Sequence, residues 1–238
     1  MTTSEILKTT DHRPWKLPTG NWKYYQEWND AVFLHWEVEY SELRKFIPEN
    51  IEIDLFDGKP WVSLVAFKME KIRPKNLPSF PPVSNFDEIN IRTYVKFNNK
   101  SGVYFLSIEA GSKISSQIAK SLSKLPYRYS KMNRQEIHYQ SFNAEYSDNF
   151  EMAYQIGQKQ TEKTKIDKWL VERYALFQDD KGHTNEFEIH HIEWPTYKVE
   201  LKKLMIDYPR FGNLLSSSPT LAHYSPGVQV IAWGKKKL

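Results

Sequence analysis

A mainly β fold with a few helices, a β-rich α+β domain, is what this sequence predicts, and three observations carry it. Period-two alternation of apolar and polar residues recurs along the chain, most clearly in "NFDEINIRTYVKF" (85–97). Short turns rich in asparagine, aspartate and glycine join such stretches in pairs, so the sheet is expected to be mainly antiparallel. Helical spacing is clear in only one long stretch, residues 112–125. No repeat or shift in composition divides the chain. We read residues 1–238 as one domain, a barrel or sandwich with appended helices.

Residues 1–20, with Pro14 and Pro18, read as a loose arm. "AVFLHWEV" (31–38) is a short apolar strand. In "SELRKFIPEN" (41–50) Ser41 caps a short helix that exposes Arg44, buries Leu43, Phe46 and Ile47, and ends at Pro48. "IEIDLF" (51–56), the Asp57-Gly58 turn and "PWVSLVAFKME" (60–70) carry a hairpin signature. Residues 71–84 hold Pro74, Pro78, Pro81 and Pro82 without periodicity and read as a functional or mobile loop. The strand at 85–97, an "NNKSG" turn (98–102) and "VYFLSIEA" (103–110) form a second hairpin.

In "SKISSQIAKSLSKL" (112–125) Ile114, Ile118, Leu122 and Leu125 share a helix face, Ser112 caps the start and Pro126 stops it. "EIHYQSFNAEYS" and "FEMAYQIG" predict a further hairpin, and "KTKIDKWLVERYALFQ" a helix running into a strand. "DDKG" (179–182) turns, "TNEFEIHHIEWP" is a strand ended by Pro195, "YKVELKKLM" reads as helix, and "GVQVIAWG" (227–234) closes the sheet.

The absence of cysteine excludes disulfides, thiolate catalysis and cysteine-ligated zinc. A net charge of +4, part of it in the Lys235–Lys237 tip, lacks the basic stripe that nucleic acid requires. No apolar run reaches membrane-span length, and the N-terminus has no apolar segment of signal-peptide length. We therefore expect a cytoplasmic chain with no nucleic-acid or membrane partner, and the sequence leaves a homo-oligomer open. With 8 Trp, 14 Tyr and 13 Phe, aromatics supply a β-rich core or the walls of a site.

The polar row of the 85–97 strand sets the main question. Ile89, Ile91, Thr93 and Val95 point one way, and Glu88, Asn90, Arg92 and Tyr94 the other. That second face is either solvated or one wall of a site. Phosphate loops, dinucleotide fingerprints, nucleophile elbows and HExxH motifs are missing. His190 and His191 sit in an acidic, histidine-rich strand, yet neighbours on a strand face opposite ways, so no metal or other cofactor is expected and the stretch reads as half-exposed strand. His35, inside an apolar run, reads first as a core histidine. Tyr127 and Arg128 follow Pro126, which fixes the backbone that aims them, and their bland counterpart is an exposed loop. Arg173 and Tyr174 carry the same two readings.

The blocks "FLHW", "FDGKPWVSLVAF", "FDEINIRTYV", "GVYFLSIEA", "LPYRYSKM", "VERYALF" and "HIEWP" occur in this order in the YqjF-like family, an uncharacterised family with an acetoacetate decarboxylase-like fold. The chain resembles that family over about residues 22–205. The resemblance implies an antiparallel β-barrel with a central cavity, to which Glu88 contributes an acid, with Asn90 and Arg92 along the same wall. Acetoacetate decarboxylases form a Schiff base on a lysine next to a second cation, after a helix and a proline. The matching place here reads Pro126-Tyr127-Arg128, and tyrosine forms no iminium ion. The resemblance therefore implies a small-molecule ligand, with Glu88 and Tyr127 as acid/base groups and Asn90, Arg92, Tyr94, Arg128 and His35 as binding groups. Two arginines suit a small carboxylate. Lyase-like proton transfer without a covalent intermediate, simple binding of an acidic, carbonyl or aromatic molecule, and a structural protein whose Glu–Arg network satisfies itself are the three readings.

Overall fold

The structure, a computed structural model, describes residues 1–180, 182–216 and 218–238. Its strands are β1 (Tyr24–Glu37), β2 (Glu52–Ile53), β3 (Trp61–Pro74), β4 (Phe86–Phe97), β5 (Lys100–Ala110), β6 (Tyr127–Tyr129), β7 (Lys131–Gln135), β8 (His138–Asn143), β9 (Asp148–Lys159), β10 (Ala175–Asp180), β11 (His183–His190), β12 (Tyr197–Asp207), β13 (Leu221–Ala232) and β14 (Lys236–Lys237). The helices are short: α1 (Thr3–Lys8), α2 (Tyr40–Arg44), α3 (Pro81–Ser84), α4 (Lys113–Ser123), α5 (Lys165–Val171) and α6 (Gly212–Leu215).

Strand pairing runs in a ring. β1 pairs with β3, β3 with β4, β4 with β5, β5 with β10, β10 with β11, β11 with β13, and β13 returns to β1. The β5–β10 seam is parallel and short, with Leu176 opposite Val103. Gly102 permits it, because a Cβ there would lie 2.7 Å from the Ala175 carbonyl oxygen and 2.8 Å from the Phe177 ring. From β13 the sheet continues through β12, β9, β8 and β7.

Alternation divides the core in two. Val32, Leu34, Leu64, Ala66, Ile89 and Ile91 turn outward and pack with Tyr139, Phe150, Met152 and Tyr154 of β8 and β9. Ala31, Phe33, Val65, Phe67, Tyr94 and Val230 turn inward and pack with Leu170 and Val171 of α5. Both faces of β4 are therefore buried, and its polar row lies inside the ring.

The structure alters several expectations. The arm is docked rather than loose. α1 starts with a Thr2–Glu5 capping box, Ile6 packs on Ile231 and Trp233, and Arg13 reaches Glu188 at 2.7 Å and the Ile189 carbonyl at 2.6 Å. Arg44 does not extend into water, because its guanidinium donates to the carbonyls of Ile47, Pro48 and Ile51, and no side chain caps α2. β2 pairs with β4 rather than β3, so 51–70 is not one hairpin, although Phe56 and Lys59 do bridge the Asp57-Gly58 turn. β3 runs on to Pro74, and Pro81 opens α3 where its missing N–H costs nothing.

The β4–β5 turn is tighter than predicted. Asn98 and Asn99 both adopt positive φ, as a two-residue hairpin requires. The 112–125 helix forms with its Ser112 cap but packs in reverse. Ser115 and Ser116 are buried, Ser115 Oγ donates to the Val83 carbonyl, and Ile114, Ile118 and Leu122 are exposed. Residues 197–205 are strand, since Tyr197, Val199 and Leu201 alternate and a register shift at Leu201/Lys203 disguises the period. The 184–195 strand ends at His190. The turn at 179–182 includes residue 181, outside the described residues, but its flanks β10 and β11 pair antiparallel as a hairpin.

Candidate functional site

The row of β4 resolves into two centres. Strand rise of about 3.3 Å per residue separates the Glu88 and Tyr94 Cα atoms by roughly 20 Å, beyond joint reach of one small molecule's reacting atom. The first centre is Glu88, Asn90 and Tyr127. β6 pairs parallel with β5, placing Tyr127 opposite Ile108, which faces Asn90. The Tyr127 hydroxyl donates to Glu88 Oε2 at 2.9 Å, and Asn90 Nδ2 donates to Oε1 at 3.3 Å. No cation pairs with Glu88 among the described residues. Burial pushes its carboxyl up to about 7, against the opposing pull of Asn90 and Tyr127. Burial and the Glu88 charge push the Tyr127 phenol well above its ordinary range.

This centre has a consequence for stability. The folded chain keeps the Glu88 proton up to about pH 7, whereas an unfolded chain releases it near the ordinary 4.5. Stability from this group is thus present at low pH and lost as pH rises between those values. Glu88→Gln keeps the shape, accepts one of the two hydrogen bonds through its oxygen, sets an N–H donor in place of the other acceptor, and cannot ionise. It is expected to raise stability at pH 8 by roughly 3 kcal/mol and to flatten this limb of the profile. Urea unfolding of both proteins at pH 5 and pH 8 checks it, and an equal effect at both would contradict it.

The second centre surrounds Tyr94. Its one hydroxyl proton has two acceptors within reach, Ser63 Oγ at 2.6 Å and the Leu170 carbonyl at 2.9 Å. Ser63 Oγ is 2.6 Å from His35 Nδ1, His35 Nε2 is 3.1 Å from His223 Nδ1, and His223 Nε2 is 2.9 Å from Asp167 Oδ1. Cross-strand register aligns His35 with Ser63 and Ser63 with Arg92. Burial, then the neighbouring His223 and Arg92 charges, push His35 well below the ordinary histidine range. Burial also lowers His223, against the pull of Asp167.

Arg92 lies between the centres. Its Nη2 donates to the Leu170 carbonyl at 3.3 Å, and its guanidinium carbon sits 5.7 Å from the Phe33 ring centroid. Its buried Nε has no partner, nor has Asn90 Oδ1, and no carboxylate pairs with Arg92 among the described residues. Arg173, by contrast, is paired. Nη1 donates to Asp54 at 2.8 Å, Nε donates to the Trp169 carbonyl, and the guanidinium stacks 4.3 Å from the Trp169 centroid and 4.8 Å from the Tyr94 centroid.

Arg128 does not join either centre. Neighbours on β6 face opposite ways, so Arg128 pairs with Glu109 at 3.1 Å and Asp148 at 2.6 Å on the outer side, against the Tyr146 ring. His190 and His191 are buried rather than half-exposed: His190 donates to the Ile6 carbonyl, His191 packs on Tyr174 and Trp194, and burial lowers His191 to about 3. Two described clefts, of about 480 and 310 Å³, follow the arm near Arg13 and Glu188, away from the β4 row. Among the described residues, no helix is long and apolar enough to cross a membrane.

Residue reading missed Ser63, His223 and Asp167. His35 singles out a polar spot in an apolar run, but only pairing brings it to residues 28 and 188 positions away. The profile of DUF2071, described as "Uncharacterized conserved protein", matches residues 25–229. The chain belongs to this family. It is 33% identical over 229 residues to "Uncharacterized protein YqjF" of Bacillus subtilis (strain 168), covering 93% of this chain and 95% of that one. Among solved structures, "Enduracididine biosynthesis enzyme MppR complexed with pyruvate" superposes with a TM-score of 0.63 at 11% identity, covering 94% of this chain and 93% of that one. An acetoacetate decarboxylase structure gives 0.62 at 15% identity, covering 100% and 98%. Identities this low show a shared fold only. This DUF2071 member is thus mostly β, with acetoacetate decarboxylase-like neighbours.

Proposed function

We propose that the ring closes as a mainly antiparallel β-barrel, with the one parallel seam between β5 and β10, and takes a small acidic, carbonyl-bearing or aromatic molecule into its interior. One observation carries the reading. Arg92 is a buried cation with no carboxylate partner among the described residues, and a charge in that state is costly unless something pairs with it. A ligand carboxylate fits the free Nε–H and displaces the weakly held Leu170 carbonyl. About 13 Å further along the strand, Glu88 is a second buried group, an acid poised near neutrality and suited to accept a proton. Tyr127 in place of a nucleophilic lysine supports chemistry without a Schiff base. The pyruvate complex of one fold neighbour supports small keto acids as the class to try first.

A second reading has its own observation. Leu170 lies in the last turn of α5, and Arg92 and Tyr94 both bond its carbonyl, so they also read as caps of that helix end. A thermal-shift screen against keto, hydroxy and aromatic acids separates the two, with borohydride trapping followed by mass spectrometry in parallel. The site reading expects a raised melting temperature and no adduct. A reduced adduct on a lysine contradicts the chemistry, and no shift with any acid favours the cap.

A further inference from the structure

Five buried side chains from five elements form one hydrogen-bonded file: Tyr94 (β4), Ser63 (β3), His35 (β1), His223 (β13) and Asp167 (α5). Its polarity follows from its end. Asp167 caps α5, accepting from the Thr164 backbone N–H at 2.8 Å. Burial works to raise this carboxyl, yet that N–H and His223 outweigh it and hold Asp167 below its ordinary range, as a carboxylate. A carboxylate only accepts, so His223 carries its proton on Nε2 and presents a bare Nδ1. His35 must then donate from Nε2 and present a bare Nδ1 to Ser63. Ser63 donates to His35, and its oxygen accepts from Tyr94. Every proton in the file points towards Asp167, and Tyr94 turns a lone pair to the interior.

We infer that this file is a proton relay, in which Tyr94 accepts the dissociable O–H proton of a phenol or enol anchored at Arg92 and the His223–Asp167 pair stores it. This rests on the reading of the interior as a small-acid site. The step balances. The ligand O–H bond breaks and its proton joins the Tyr94 oxygen, while the Tyr94 proton passes to Ser63, that of Ser63 to His35 Nδ1, and that of His35 Nε2 to His223 Nδ1. His223 becomes an imidazolium against Asp167, and the ligand becomes an oxyanion beside Arg92. Nothing is oxidised or reduced.

In the loaded state the three bonds from Tyr94 to His223 are reversed while His223 Nε2–H still donates to Asp167, and the Leu170 carbonyl, 2.9 Å from the Tyr94 hydroxyl, is the alternative acceptor for Tyr94. The other charges facing the file are Arg173 over the Tyr94 ring, itself held by Asp54, and Lys163 near His223, held by Glu172 at 2.5 Å. Both cations carry their own carboxylates, which leaves Arg92 to pair with the ligand. Tyr94 touches the ligand, while Ser63, His35, His223 and Asp167 are positioning residues.

Long-range proton–nitrogen NMR on the protein labelled with ¹⁵N-histidine tests this, with 4-nitrophenol as the probe. Unliganded at pH 7, both rings should be neutral Nε2–H tautomers. Bound at about pH 5.5, where the free probe is almost wholly the colourless phenol, 4-nitrophenol should turn yellow as its phenolate, with His223 doubly protonated and His35 switched to Nδ1–H. Ser63→Ala should bind the phenol yet leave it colourless and both rings unchanged. An Nδ1–H tautomer on His35 without ligand, or bound phenol with unmoved histidines in the unmodified protein, overturns the relay. If the phenol does not bind at all, the small-acid reading fails instead, and an unliganded acid titration judges the file. Reversal of the His35 tautomer in the same step that protonates His223 upholds proton conduction, and two separate steps overturn it.

Discussion

Replacing Arg92 with methionine is expected to leave the empty protein at least as stable as before, while weakening small-acid binding by about 30-fold or more. The two halves have one cause. Arg92 is buried with one long hydrogen bond, an aromatic face and no carboxylate among the described residues. Removing a buried charge that lacks a partner relieves desolvation, and methionine refills the space beside Phe33. Binding loses a charge-assisted pair in a dry site, which costs roughly 2–5 kcal/mol. The cap reading predicts the opposite: α5 loses a cation at its C-terminal end, stability falls, and no acid binds either protein. Denaturant midpoints and titration calorimetry on the two proteins decide between them.

Asp54→Asn is expected to be the most destabilising of the changes considered, at about 3 kcal/mol. Asp54 and Arg173 are a buried ion pair at 2.8 Å, and Lys96 reaches the same carboxylate at 2.9 Å. Asparagine keeps the shape and removes the charge, so the Arg173 guanidinium stays buried and uncompensated. Breaking one side of such a pair costs more than the pair itself contributes. A second change, Arg173→Met, should therefore recover most of the loss, a coupling that a double-mutant cycle measures. Arg173 also stacks on Trp169 and Tyr94, so small-acid affinity should fall in the single variant and return only in part in the double. A loss below about 1 kcal/mol, or simple additivity, would contradict this account.

The alternation along 85–97 foretold both the strand and a polar row of one sign of exposure, because period two is a local property. Whether that row met water was not local. It depended on β8 and β9 covering the outer face, which buries both sides of β4. The same limit explains α4, where the apolar stripe Ile114, Ile118 and Leu122 predicted a helix correctly and its packing wrongly. Tyr127 and Glu88, both singled out in the sequence, meet through one hydrogen bond. Arg128 does not, since adjacent residues of a strand cannot share a face. The relay was illegible because it draws one residue from each of five elements, and only His35 and Tyr94 among them stood out in their segments.

The central claim is that Arg92 holds a small acid inside the ring, and the Nε–H of Arg92 reports it most directly, being buried without a partner in the empty protein. We would record proton–nitrogen NMR of the protein labelled with ¹⁵N-arginine, with and without a saturating small keto or aromatic acid, using Arg92→Met to assign the signal. The account predicts that this one N–H resonance moves downfield on binding while that of Arg173, bonded to the Trp169 carbonyl, and that of Arg128, on the outer side of the ring, stay in place. An acid that binds without moving the Arg92 signal would contradict the account and place the ligand elsewhere.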